Sequence, residues 1–167
     1  MNANPDRLWQ ILGIVAKEET YLNAVMLRLF PKHGDISPAW LKALLDTPEG
    51  IDRMESFVGK FSRMQDSIVD KLLPHFLLAV GETPGTALDN LRRAERLGIV
   101  GDPDLWLAMR RLRNRLIHEY VDDLAELAAA LDMAHAATHE LCNAFRGIKN
   151  YTEHNFPIDG NTLSDSH

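Results

Sequence analysis

Prolines constrain this chain more than any other feature, because a helix accepts proline in its first turn and resists it in its interior. Pro5 followed by Asp6 opens a first segment well, the acid suiting the positive end of the helix dipole. Ser37-Pro38 reads as a cap followed by proline at the first helical position, Thr47-Pro48 repeats that signal, and Asp102-Pro103 restarts a helix further on. Pro31 with Gly34, and Thr83-Pro84 with Gly85, mark breaks. Pro74 is different: it falls inside a run of helical spacing, removes an N–H and crowds the carbonyl of Asp70, so a kink or an end is expected there.

Between these marks the apolar residues recur at helical spacing. Leu8, Ile11, Leu12 and Val15, then Leu22, Val25, Met26 and Leu29, trace a first helix to about Phe30. Trp40, Leu41, Leu44 and Leu45 give a short one, and Ile51, Met54, Phe57, Val58, Phe61, Ile68 and Leu72 a long one. Leu88, Leu91 and Leu97, with Ala87 and Ala94, give a third main helix that Gly98 can end in a left-handed conformation. Leu105, Met109, Leu112 and Leu116 mark the fourth. Asp122 or Asp123 caps the last, where Leu124, Leu127, Ala128, Leu131, Ala134, His135, Thr138, Leu141, Cys142 and Phe145 trace a narrow seam that Gly147 is expected to close. No segment alternates with period two over strand length. The fold expected is all-α, an up-and-down bundle of about five main helices with one short extra, with residues 1–147 as the domain and 148–167 as a polar, flexible tail.

At 167 residues one domain is the default. The start of the chain lacks the basic and apolar regions of a signal peptide, no apolar run approaches the roughly 20 residues that span a bilayer, and the single cysteine, Cys142, can form no internal disulfide. A cytoplasmic protein with no membrane partner is expected. The net charge of −6 argues against indiscriminate nucleic-acid binding. Its distribution is uneven. Arg92, Arg93, Arg96, Arg110, Arg111, Arg113 and Arg115 stand against Glu95, Asp102 and Asp104, a local excess of +4 on an otherwise acidic chain. Such an island either positions one anionic ligand or forms a solvated, salt-bridged helix face.

The densest chemistry lies in the stretch from Arg113 to Tyr120, which holds Arg113, Asn114, His118 and Tyr120. At 100° per residue Asn114 and His118 share a helix face, whereas Arg113 and His118 lie about 140° apart. They converge on one ligand only if the arginine bends round, the helix distorts, or a second subunit contributes its own copy. Histidine suits proton transfer near neutral pH, and arginine, planar and always charged, suits a phosphate. Together they are the residue types that metal-independent RNA cleavage requires, with Asn114 placed to orient the histidine or touch the ribose. The structural alternative is that Arg113 pairs with Glu119 or with an acid on another helix, His118 complements a helix C-terminus, and Tyr120 is a partly buried aromatic.

Other candidates are weaker. His135 and His139, four apart, lack the third ligand and intervening glutamate of a zinc site, so no metal is expected. Asp66 and Asp70, also four apart, read as a solvated face or as partners for the arginine island. Cys142 reads as a small core residue. There is no phosphate-binding glycine loop, serine nucleophile elbow or CxxC pair, and no cofactor is expected.

Arg113, His118 and Tyr120 resemble the Arg-x4-His-x-Tyr signature of HEPN-domain toxins of HEPN/MNT toxin-antitoxin pairs, the HepT-like ribonucleases, and Asn114 matches the asparagine that commonly follows the arginine. The stretches from Phe61 to Pro74 and from Leu91 to Val100 are similar to the second and third helical segments of one branch of that family. The resemblance implies a HEPN-like bundle, a homodimer with the motif helices at its interface, and metal-independent endoribonuclease activity. Arg113 and His118 would then be catalytic, with Arg110, Arg111 and Arg115 as candidate contacts to RNA phosphates. It also implies a partner, an MNT-domain nucleotidyltransferase antitoxin that silences the toxin by transferring AMP to Tyr120. Two other readings stay open: a non-catalytic substrate-binding subunit of a nucleotidyltransferase, and a plain structural bundle.

Overall fold

The computed structural model describes residues 4–118 and 123–158, without the side chains of residues 117 and 118. Its elements are α1 (Pro5–Leu29), α2 (Pro38–Leu45), α3 (Pro48–Asp66), a π-helical turn (Ser67–Leu72), α4 (Leu73–Ala79), α5 (Ala87–Arg96), α6 (Pro103–His118) and α7 (Leu124–Asn155). Since α3, the π turn and α4 follow without a break, the described residues make six helical rods, five main and one short, and contain no strand.

The start signals work as hydrogen bonds. Ser37 Oγ accepts from Trp40 N at 3.1 Å and Thr47 Oγ1 from Gly50 N at 3.0 Å, so each hydroxyl satisfies an N–H that the first helical turn leaves unpaired. Asp123 Oδ1 does the same for Ala125 N at 2.9 Å and Glu126 N at 3.4 Å. The alternative cap, Asp122, lies outside the described residues. Thr86 and Asp89 make a reciprocal capping box at the start of α5 that the broken spacing around Pro84 had concealed. Gly98, with φ of 74°, ends that helix, its N–H donating to Glu95 O while Ile99 N–H donates to Ala94 O.

The contacts give the directions. Ser67 meets Glu18 while Phe57 meets Phe30, so α3 with its π turn runs antiparallel to α1. Trp9 Nε1 donates to Phe156 O at 2.8 Å while Phe30 meets His135, so α7 also runs antiparallel to α1. Trp106 meets Glu140 while Arg115 meets Glu126, so α6 and α7 are antiparallel too. Leu8, Ile11, Leu12, Val15, Leu22, Val25 and Leu29 of α1 are all buried, each worth roughly 1.5–3 kcal/mol of transfer free energy.

Several expectations need correction. Pro74 does not end the rod; the distortion expected there takes the form of a π turn just ahead of it, in which Leu73 N–H donates to Ile68 O five residues back, and Pro74 occupies the first turn of α4. Widening the turn by one residue shifts the upstream carbonyls off the pyrrolidine ring, so the fault is absorbed inside the helix. Gly147 does not close α7, which runs on to Asn155 with Ile148 and Thr152 buried, so residues 148–155 of the expected tail are helix. A Cβ at Gly147 would lie 3.4 Å from Ile99 Cδ1, an ordinary van der Waals contact, so the glycine sits in the helix beside Ile99 without ending it. Residues 159–167 lie outside the described set. The seam of α7 is also wider than expected, because Ala130, Ala137 and Ala144 are buried beside it. On α6 Leu105 is exposed, and Trp106, 1% exposed, takes the core position in its place.

Candidate functional site

Trp106, Met109 and Leu112 form the buried ridge of α6, and Leu116 is half-buried. The Trp106 indole donates to Glu140 Oε1 at 3.1 Å, and that oxygen also accepts from Gly101 N at 3.2 Å, so the entrance of α6 is tied to α7. This fixes which neighbours flank the ridge. Arg110 and Arg113 sit on the side that faces α3 and its π turn. There Arg110 Nη2 donates to Asp70 Oδ1 at 2.5 Å, and Arg113 Nη1 donates to Asp66 Oδ1.

Arg113 is held twice. Its Nε and Nη2 also donate to Asn114 Oδ1, at 3.3 and 3.0 Å. The arginine therefore bends toward the face of Asn114, which a regular helix places about 40° from His118. The Asn114 side chain, a candidate to orient the histidine or touch the ribose, thus accepts from Arg113 through its oxygen. The described backbone of α6 runs to His118, whose side chain lies outside the described residues, as do Glu119 and Tyr120.

The arginine island is largely neutralised by acids from outside it. Besides Arg110 and Arg113, Arg93 lies 3.8 Å from Glu82 and Arg115 lies 3.7 Å from Glu126. Arg111 is exposed and makes no ion pair among the described residues. The pairing of Asp66 and Asp70 with the island is as the sequence suggested; the pairing of Arg113 with an acid on another helix realises the structural alternative for that residue.

Asp66 and Asp70 also line a groove of about 550 Å³, together with Glu18, Arg63, Ser67 and Lys71. Glu18 receives a 2.9 Å hydrogen bond from Ser67 Oγ, and its other oxygen is buried without a partner. Burial raises its carboxyl above the usual range, while the bond from Ser67 and the nearby charges of Arg63 and Lys71 oppose the shift. Glu18 was not singled out from the sequence. Its signal was there: it stands at a stripe position of α1, seven after Ile11 and four before Leu22.

The histidine pair of α7 lies elsewhere. The His135 ring packs on Phe30 with centroids 4.4 Å apart, and the His135 and His139 centroids are 6.4 Å apart. Burial lowers the His135 pKa, helped by His139 and opposed by Asp132. No group of three metal-ligating side chains occurs among the described residues. Cys142 is a buried core residue whose thiol is pushed up to about 12, first by burial and then by Glu19. None of the helices among the described residues is long and apolar enough to cross a membrane. No family model matches the chain, and no curated protein or solved structure matches it.

Proposed function

We propose that this chain is a HEPN-type endoribonuclease of a toxin-antitoxin pair that acts as a homodimer and cleaves RNA without a metal. The observation that supports this reading best is the held guanidinium. Arginine carries five N–H donors; Asp66 and Asn114 engage three on Arg113, leaving one on each terminal nitrogen for a phosphate. His118, at the end of the same helix, takes the proton of the ribose 2′-hydroxyl. The 2′-oxygen bonds to phosphorus, the bond to the 5′-oxygen breaks, and the products are a 2′,3′-cyclic phosphate and a 5′-hydroxyl. The leaving oxygen takes its proton from His118 of a second subunit or from water. Arg113 stabilises the charge that gathers on the phosphate, and Arg110, Arg111 and Arg115 draw the RNA in. AMP placed on Tyr120 by an MNT nucleotidyltransferase adds negative charge two residues from His118 and silences the site.

A second reading, a non-catalytic subunit that presents this surface to a nucleotidyltransferase, is favoured by the ion pairs that already occupy Arg110 and Arg113. Expression of wild type and His118→Ala without a partner, following growth and mapping RNA 3′ ends, separates the two. Arrest with new cyclic-phosphate ends in wild type alone is the expected result. Two soluble and harmless proteins would overturn the ribonuclease reading and favour the second.

A further inference from the structure

The acids that pair with α6 do not belong to the motif, yet they decide where its arginines point. Asp66 is the last residue of α3 and Asp70 lies inside the π turn that follows it, so the two carboxylates straddle the point where the helix widens ahead of Pro74. In a π turn each residue advances less around the axis than in an α-helix, so Asp70 projects in a different direction relative to Asp66. It is in this arrangement that the two carboxylates meet Arg110 and Arg113, which are three apart and on neighbouring faces of α6.

The contacts resemble a holder more than a lid. A lid would consume the guanidinium. On Arg113 the Asp66 contact uses one nitrogen, Asn114 takes the side-on pair of donors, and among the described residues each terminal nitrogen keeps one N–H without a partner. The arginine side chain is 21% exposed while Asp66 is 45% exposed, so the cation is the more enclosed partner and its long arm is restrained. Arg110 has a buried Nε without a partner and, among the described residues, is held through Nη2 by Asp70 alone. Restraining a flexible cation before a ligand arrives reduces the ordering cost at the moment of binding.

We infer that Asp66 and Asp70 are positioning residues that hold Arg113 and Arg110 as a preformed pair of guanidinium groups for RNA phosphates, Asp66 being the more important. This rests on the phosphate-binding reading above. It also runs against the simple effect of charge: a carboxylate beside an anion site repels the anion, so its removal should tighten binding if charge were all that mattered. The sign of the change therefore decides.

The test uses the full chain and a fluorescent 2′-O-methyl oligoribonucleotide, which keeps the phosphates but lacks the attacking hydroxyl, with binding followed by anisotropy at fixed salt. Asp66→Asn should weaken binding about tenfold, the order of one hydrogen bond to a charged group, and Asp66→Glu should recover part of the loss. Equal or tighter binding by a folded Asp66→Asn protein, with wild type binding the probe, would overturn the positioning role and leave the phosphate reading standing. A wild type that does not bind the probe would overturn both. Should circular dichroism show Asp66→Asn unfolded, Asn114→Ala, which removes the other holder from an exposed position, must weaken binding as well; unchanged affinity in that variant would also overturn the inference.

Discussion

Two polar clusters built from similar residues behave differently because of what each one faces. On α6 the arginines meet carboxylates of α3 and the π turn in direct, partly exposed ion pairs. On α7 His135 faces an aromatic ring at the end of α1, and burial favours its neutral form. Spacing alone could not separate them, since pairs one turn apart occur in both. What separates them is the opposing surface, and with it whether a polar side chain can keep its charge.

The strongest way to break the comparison is to remove the aromatic floor. Phe30 touches Trp40, Phe57 and His135 with ring centroids 6.1, 4.9 and 4.4 Å away. Phe30→Ala should cost about 3–5 kcal/mol in urea unfolding, the range for deleting a buried phenylalanine. Next in size are two pH effects of opposite direction. The His135 pKa is lowered on folding, so the unfolded chain binds more protons and stability falls as pH drops below about 6.5; His135→Gln should flatten that slope. The Glu18 pKa is raised, so its favourable contribution is fully present below about pH 4.3 and is lost as pH rises through the folded value. Glu18→Gln should therefore melt higher than wild type at pH 7 and lose that advantage near pH 4. Smallest is the outer ion pair: Arg110 and Asp70 are 31% and 53% exposed, so Asp70→Asn should change unfolding free energy by no more than about 1 kcal/mol and lose even that in high salt.

Where local chemistry decides a structure, the residues made it legible. Ser37, Thr47 and Asp123 cap as their types and positions suggest, and Gly98 takes the left-handed conformation that ends α5. Tertiary contact decided the rest. Gly147 looks like a stop because glycine is a poor helix former, but the buried Ile148 and Thr152 beyond it carry α7 onward. Leu105 and Trp106 are adjacent apolar residues, and periodicity could not choose between them; the hydrogen bond from the indole to Glu140 goes with the tryptophan inward. At the site, pairing between Asp66, Asp70 and the arginine island was legible from charge, whereas the grip of Asn114 on Arg113 depends on how one long side chain bends, which no spacing encodes.

The π turn has a consequence for how this chain can vary. It is equivalent to one extra residue lodged in an otherwise α-helical rod, with Ile68, Val69 and Leu72 buried within it. Deleting one residue between Ser67 and Leu72 would restore ordinary helical phase, rotating everything downstream by about 100° relative to α3. Phe76 and Leu77, now buried, would swing out of the core, and the acid contributed by the turn would leave its arginine. The segment can exchange side chains on its exposed edge, but its length is locked, and a change of one residue there would act on packing and on α6 at once.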